Sequence, residues 1–279
     1  MITPPEPAEP IVLTFVIPLM SRTLAKRWDV ICRHAETTVA SALGQTEPRV
    51  RVVMTGHERP EFSREFGERF EFLSLDEPPP PATRPDGMSP HDYHRLRERD
   101  KWLKLARGLM TLRQHPSQFV MFTDGDDMVH RQTAAFCAAH PEANGWYAEQ
   151  GWEYFSRPGI LHLRRHDFHQ HCGTSAILAT RHVHLPSDFS ESERQASVIL
   201  RAGHTIIVEE MKRLGTPLEP LPFPLTIYRR MTGENQSNVL VGVTRQLRDA
   251  FQGYKGLLRA LPSFRTPGRR LIDDYGFRR

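Results

Sequence analysis

Short apolar runs separated by longer amphipathic stretches organise the first 130 residues. Residues 11–19 (IVLTFVIPL), 49–55 (RVRVVMT), 70–75 (FEFLSL) and 119–122 (FVMF) are rich in β-branched and aromatic side chains and have the length of strands. Pro18 marks the end of the first run, because proline cannot donate to a strand ladder. Between these runs the apolar period lengthens. In 28–43, Val30, Ile31, Ala35, Val39 and Leu43 recur at helical spacing, and Gly44 is placed to close the helix. In 100–112, Trp102, Leu103, Leu105, Ala106, Leu109, Met110 and Leu112 form an apolar face with basic residues between them, which predicts an amphipathic helix. Residues 76–90, with Pro78 to Pro81 in succession, read as a stiff extended loop. Strand, helix, strand, strand, helix, strand is the order of an α/β fold built on a mostly parallel central sheet flanked by helices.

Beyond residue 130 the pattern is less regular. Residues 131–139 suit a helix closed by Pro141. The aromatic stretch 145–155 (GWYAEQGWEYF) and the alternating run 160–164 suit a hairpin. Residues 188–202 suit a helix with acids in its first turn and Gly203 after it, and 206–214 a further helix before Gly215. Residues 221–228 read as extended and 229–238 as a polar loop. The segment 1–10 is an acidic, proline-rich lead-in expected to be disordered, and 241–279 is a basic C-terminal tail or helix.

Composition adds limits rather than a function. A chain of 279 residues, 39% hydrophobic, can bury a proper core. The net charge of +4 is mild basicity, compatible with anionic ligands. Cys32, Cys137 and Cys172 are too few and too scattered for a disulfide framework, which fits a reducing cytoplasm. No apolar run reaches the roughly 20 residues that span a bilayer, and the first ten residues lack the basic start of a secretory leader. The expectation is a cytoplasmic protein, with the basic tail able to meet the inner face of a membrane. No nucleic-acid-binding motif is present.

The candidate chemistry sits where the fourth run ends. Residues Phe119 to Phe122 run directly into Thr123-Asp124-Gly125-Asp126-Asp127. A strand buried on both faces would deliver these three carboxylates to the carboxyl edge of the sheet, where open α/β sheets bind ligands. Acids at this density repel one another, and a hard divalent cation such as Mn²⁺ or Mg²⁺ would offset that repulsion. Asp and Gly are also ordinary turn formers, so the same residues suit a plain polar turn.

Taken together, the FVIPL strand, the following helix and second strand, the lysine-bearing helix and the strand ending in Asp124-Gly125-Asp126-Asp127 resemble a GT-A-fold (Rossmann-like) glycosyltransferase of the bacterial family-2-like group. The resemblance covers residues 11–238. It implies a nucleotide-sugar-binding half at 11–130, with Pro18, Lys101 and Asp124 on the donor, and a less regular acceptor-binding half at 131–240. It implies that Asp126, with Asp127 or Asp124, holds Mn²⁺ or Mg²⁺ against the donor diphosphate. The partners implied are a nucleotide-sugar donor and a glycan or lipid-linked acceptor, with no nucleic acid, as in surface polysaccharide synthesis. The chain departs from the pattern twice. The second strand ends in Thr55-Gly56-His57 where an acid commonly contacts the base. The late Glu-Asp pair that carries the general base is replaced by Ser190-Glu191-Ser192-Glu193, which leaves Glu191 and Glu193 as the catalytic candidates.

Other residues suit supporting roles. Arg22, Lys26 and Lys104 are further cations for a diphosphate; Trp146, Trp152 and Tyr154 could stack on a sugar; His204 could complete a metal shell. Residues 171–175 (HCGTS) would border the acceptor, where small side chains permit close approach. Tyr228 and residues 232–235 would close over the donor. His162, His166, His169 and His171 match no closed zinc pattern. Two other classes use the same acids or the same tail: another divalent-metal phosphate enzyme, either a nucleotidyltransferase or a phosphohydrolase, and a non-enzymatic module binding a nucleic acid or an anionic surface through the basic tail.

Overall fold

The computed structural model describes residues 10–156, 159–230, 253, 255, 256 and 263–276. The lead-in, most of the polar loop after Arg230 and much of the basic tail, including residues 232–235, lie outside the described residues. Four strands begin the fold: β1 Ile11–Pro18, β2 Val50–Gly56, β3 Phe70–Ser74 and β4 Ser117–Phe122. Two helices connect them, α1 Trp28–Leu43 and α2 Pro90–Met110. β1 pairs in parallel with β2 on one side and β4 on the other, and β2 pairs in parallel with β3. The chain therefore moves outward from β1 to β3, and α2 carries it back across β1 to β4. A crevice opens at such a reversal, outside the carboxyl ends of β1 and β4.

Three further strands extend the sheet beyond β4: β6 Gly145–Tyr147, β9 Ala176–Ala179 and β10 Glu219–Pro220. The full order is β10-β6-β9-β4-β1-β2-β3, with β9 antiparallel to both of its neighbours. A second sheet, ordered β12-β8-β7-β11-β5, is formed by β5 Met128–Val129, β7 Gly151–Phe155, β8 Ile160–Arg164, β11 Thr226–Arg230 and β12 Phe264–Arg265. β5 follows the acidic turn directly, so that turn joins the two sheets.

The core of the main sheet is apolar on both faces, as the unbroken runs of β1, β2 and β4 require. One face packs Leu13, Phe15, Ile17, Val52, Met54, Phe119 and Met121 against α1. On the other, Val16 and Val120 pack against Ala106, Leu109 and Leu112. The α2–β1 approach is close: a Cβ on Gly108 would stand 2.3 Å from Val16 Cγ1.

Three expectations need correction. The helix expected from residue 100 begins at Pro90, ten residues earlier, after Ser89 caps it by accepting the Asp92 N–H. That first half, PHDYHRLRER, is exposed and has no apolar face, so periodicity could not reveal it. The single helix expected over 188–202 is broken at Ser197 into α4 Glu191–Ala196 and α5 Val198–Arg201. Gly203 does not end it but opens α6, Gly203–Arg213, with φ +59°. The hairpin is present as β7 and β8, while β6 joins the main sheet instead. The described residues also form two short α-helices, α3 Thr133–Ala139 and α7 Arg269–Tyr275, and three single 3-10 turns at Thr111–Arg113, Phe168–Gln170 and Thr180–His182. Among the described residues no helix is long and apolar enough to cross a membrane.

Candidate active site

The crevice at the ends of β1 and β4 holds a two-lobed cleft. The larger lobe, about 360 Å³, lies between the β1 end, α1, α2 and the acidic turn. Pro18, Lys101, Asp124 and Asp126 line it, so four of the site residues expected from the sequence meet here. His34, Asp100, Lys104, His204 and Tyr228 line it too. The smaller lobe, about 210 Å³, continues from Pro18, Lys101, Asp124 and His204 between α2, β9, α5 and α6.

The acidic turn is built so that its three carboxylates do different things. Asp127 points inward and is fully buried. It accepts from the Thr174 hydroxyl at 2.6 Å, the Arg229 N–H at 3.1 Å and the Cys172 thiol at 3.4 Å. Burial, with Asp126 and Asp124 nearby, pushes its carboxyl well above the ordinary range. The metal role expected for Asp127 finds no support in this geometry, because it ties β11 and the 172–174 loop to the turn from behind. The Thr174 hydroxyl also accepts the Asp124 N–H at 2.8 Å, and its carbonyl accepts from Thr226 at 2.8 Å. One threonine thus fixes the turn's position.

Asp124 faces the cleft and is paired with Lys101 at 2.8 Å. Burial acts to raise the Asp124 pKa, but the ammonium outweighs it and holds the carboxyl below its usual value. The same pairing raises Lys101, whose side chain remains 46% exposed. Gly173 makes room for this carboxylate: a Cβ there would lie 2.6 Å from Asp124 Oδ2. Asp126 also faces the cleft, and among the described residues no other side chain donates to it. Burial and the charge of Asp124 push its carboxyl up to about 7, against the partial relief of Arg229. Asp124 and Asp126 are thus the pair available to a cation. Among the described residues no three His, Cys, Asp or Glu side chains converge on one point. A small hard cation held by one or two carboxylates and by substrate phosphates needs no such cage. These two acids fit that arrangement.

The far end of the larger lobe contains two groups that the sequence did not single out, Asp100 and His34. Asp100 on α2 reaches the end of β2, where its carboxylate meets His57 Nε2 at 2.6 Å and Lys104 Nζ at 2.6 Å. A carboxylate absent after Thr55-Gly56 in the sequence thus stands beside the end of β2 in the fold, carried by a helix more than forty residues on. Lys104, expected as a free cation, is 2% exposed and engaged with Asp100; burial lowers its pKa. His34, on the inner face of α1, is pushed down to about 3 by burial and by Arg229, so it is a neutral imidazole in the lobe. Its position on α1 gave no signal beyond ordinary helical spacing.

Several expected residues lie elsewhere. Glu191 and Glu193 line neither lobe. Glu191 accepts from Arg194 and Gln195, and Glu193 from His184 and the Ser187 N–H. The geometry gives neither of them the general-base position; they stabilise the start of α4. Trp146 is core, tilted against Phe119 at 5.1 Å, and Trp152 and Tyr154 pack with Met128 and Ile227. Arg22 turns to Glu61 and Trp28. His162 belongs to a buried cluster around Glu153, which also holds Arg164 and Arg230. His204 is brought to the junction of both lobes, where burial lowers its pKa.

No family model matches the chain, and no curated protein matches it. Among solved structures it is similar to S. aureus TarS, at 9% identity and a TM-score of 0.39, covering 86% of this chain and 42% of that one. It is similar to TarS 1-349 at 9% identity and a TM-score of 0.42, covering 90% and 81% of the two chains. For TarS 1-349 in complex with UDP-GlcNAc the values are 10%, 0.41, 86% and 64%. The chain thus spans less than half the length of the first of these, and similarity at this level says nothing of the chemistry in the cleft.

Proposed function

We propose that the protein is a metal-dependent glycosyltransferase that moves a sugar from a nucleoside-diphosphate sugar to a glycan or lipid-linked acceptor, as in surface polysaccharide synthesis. The observation that carries this reading is Asp126: a carboxylate on the cleft side of the switch-point turn, next to the Asp124–Lys101 pair and with no side-chain donor of its own among the described residues. Departure of a nucleoside diphosphate builds negative charge on its oxygens. Mn²⁺ or Mg²⁺ held by Asp126 and Asp124 would supply charge stabilisation to that leaving group. Lys101, half exposed at the same place, adds a second positive charge and orients Asp124. The polar end of the lobe, with Asp100, Lys104 and the neutral His34, suits a nucleoside. Asp127 and Thr174 hold the turn in place from behind, and Gly173 leaves room for the Asp124 carboxylate.

Another divalent-metal phosphate enzyme would use the same acids. The second lobe favours transfer, since a cleft that continues past the acids has room for a second reactant. The test is nucleoside diphosphate release across a panel of UDP-, GDP- and dTDP-sugars with Mn²⁺, for wild type and Asp126→Ala. Release that depends on Mn²⁺ and falls at least about a hundredfold in the variant is expected for loss of a group acting on the leaving charge. Release unchanged by the substitution, or hydrolysis of simple aryl phosphates with no action on nucleotide-sugars, would overturn the reading.

A further inference from the structure

The smaller lobe differs in chemistry from the larger one. Its walls are Trp102 and Leu105 from α2, Phe122 from β4, Leu178 from β9, Ile199 from α5 and Ile207 from α6. Among the described residues, polar groups line it only where it meets the larger lobe, at Glu98, Lys101, Asp124 and His204. An apolar recess with its polar groups at one end accepts an amphipathic molecule in one orientation, apolar end along the recess and polar end at the acids. Its size limits the occupant. An apolar cavity of about 150 Å³ holds a benzene ring, and this lobe is about 210 Å³. Small backbones at the mouth, Gly173 and Gly203, leave the entrance clear.

We propose that this lobe is the subsite for an apolar group on the acceptor, of the size of one aromatic ring or a short branched alkyl segment, attached close to the hydroxyl that receives the sugar. The proposal rests on the transferase reading for the identity of the occupant as acceptor. The lobe's preference for a ring is tested apart from it. The acceptor is then a hydroxylated compound with an apolar arm beside its reactive oxygen, and not a wholly polar glycan end. The arm seats between α2 and α6, and its hydroxyl is left at Asp124 and His204, facing the donor lobe.

The probe is benzyl alcohol, titrated into full-length protein carrying ¹³C-labelled Leu and Ile methyl groups, with ethanol as the polar control. Expected are saturable shifts at Leu105, Leu178, Ile199 and Ile207, and an affinity at least about tenfold above that of ethanol, as burial of a ring implies. Ala176→Leu, which fills the lobe from β9, should weaken binding at least about tenfold while the methyl spectrum stays dispersed. Should that variant fail to fold, Ile207→Phe fills the lobe from α6 and carries the same expectation. Absent shifts, shifts spread over other methyls, or equal affinity for ethanol would overturn the proposal, whether the lobe closes or another part of the chain fills it. Wild type that binds benzyl alcohol here but no nucleotide keeps the subsite and removes the donor reading; the opposite result removes the subsite alone.

Discussion

Three adjacent acids behave differently because their partners differ, and the differences can be measured. Asp126 sits up at about 7, from burial and from Asp124. An acid raised above its unfolded value of 3.8 weakens the fold as pH climbs: the unfolded chain gives up its proton first, so stability falls between roughly pH 4 and pH 7. Without metal, wild type should therefore lose thermal stability across that window relative to Asp126→Asn. Calorimetry at several pH values checks this, and parallel profiles would contradict it. Mn²⁺ binding should tighten over the same window and release a proton below pH 7, because the ligand must be ionised. Asp127 calls for a different expectation. Thr174→Val leaves the Asp124 N–H and the Asp127 carboxylate each short of a partner, which should cost about 2 kcal/mol in denaturant unfolding. Gly173→Ala should act on the site instead: its methyl displaces the Asp124 carboxylate, so donor binding should weaken about tenfold or more while stability moves little. The sequence showed all three acids but not which one faces inward. That choice is made by Thr174 and Arg229, 47 and 102 residues away, and no local pattern encodes it.

At the scale of elements, the parts legible in the sequence are those whose apolar pattern is complete. β1, β2, β4 and α1 were readable because burial on both sheet faces, or along one helix face, dictates their side chains; the edge strand β3 was readable from its alternation. The first half of α2 was not, since it has no apolar face and meets the rest of the chain through polar contacts such as the Tyr93 hydroxyl donating to the Pro81 carbonyl. It is held by its cap and by continuity with the buried half that begins at Asp100. Ser89→Ala should therefore lower stability by about 1 kcal/mol or less and selectively speed amide exchange over residues 93–99. Uniform protection across α2 would contradict this. The second half of the chain was harder for a different reason. β6 and β9 lie on one run of sheet with β4 through antiparallel pairings, while β7 and β8 leave for the second sheet. Which sheet a short aromatic strand joins depends on partners distant in sequence. The same holds for Trp146 and Trp152, which look like ligand platforms in the sequence and are packing groups in the fold.

For the molecule as a whole, the topology decides where chemistry can occur. The reversal at β1 opens the crevice, β4 delivers Asp124 and Asp126 to it, α2 supplies Lys101 and Asp100, and α6 brings His204 to the junction. The general location of the site was legible from the strand order and the acidic turn. The far wall was not: Asp100 and His34 come from helices whose spacing announces only packing, and the residues first weighed as bases, Glu191 and Glu193, stand outside both lobes. The central claim is that Asp126 and Asp124 hold a cation against a nucleotide diphosphate. Its most direct measurement is calorimetric titration of UDP and GDP into wild type and Asp126→Ala, with and without Mn²⁺. The account predicts nucleotide binding that requires Mn²⁺ in wild type and is lost in the variant; nucleotide binding of equal strength in all four conditions, or none in any, would contradict it.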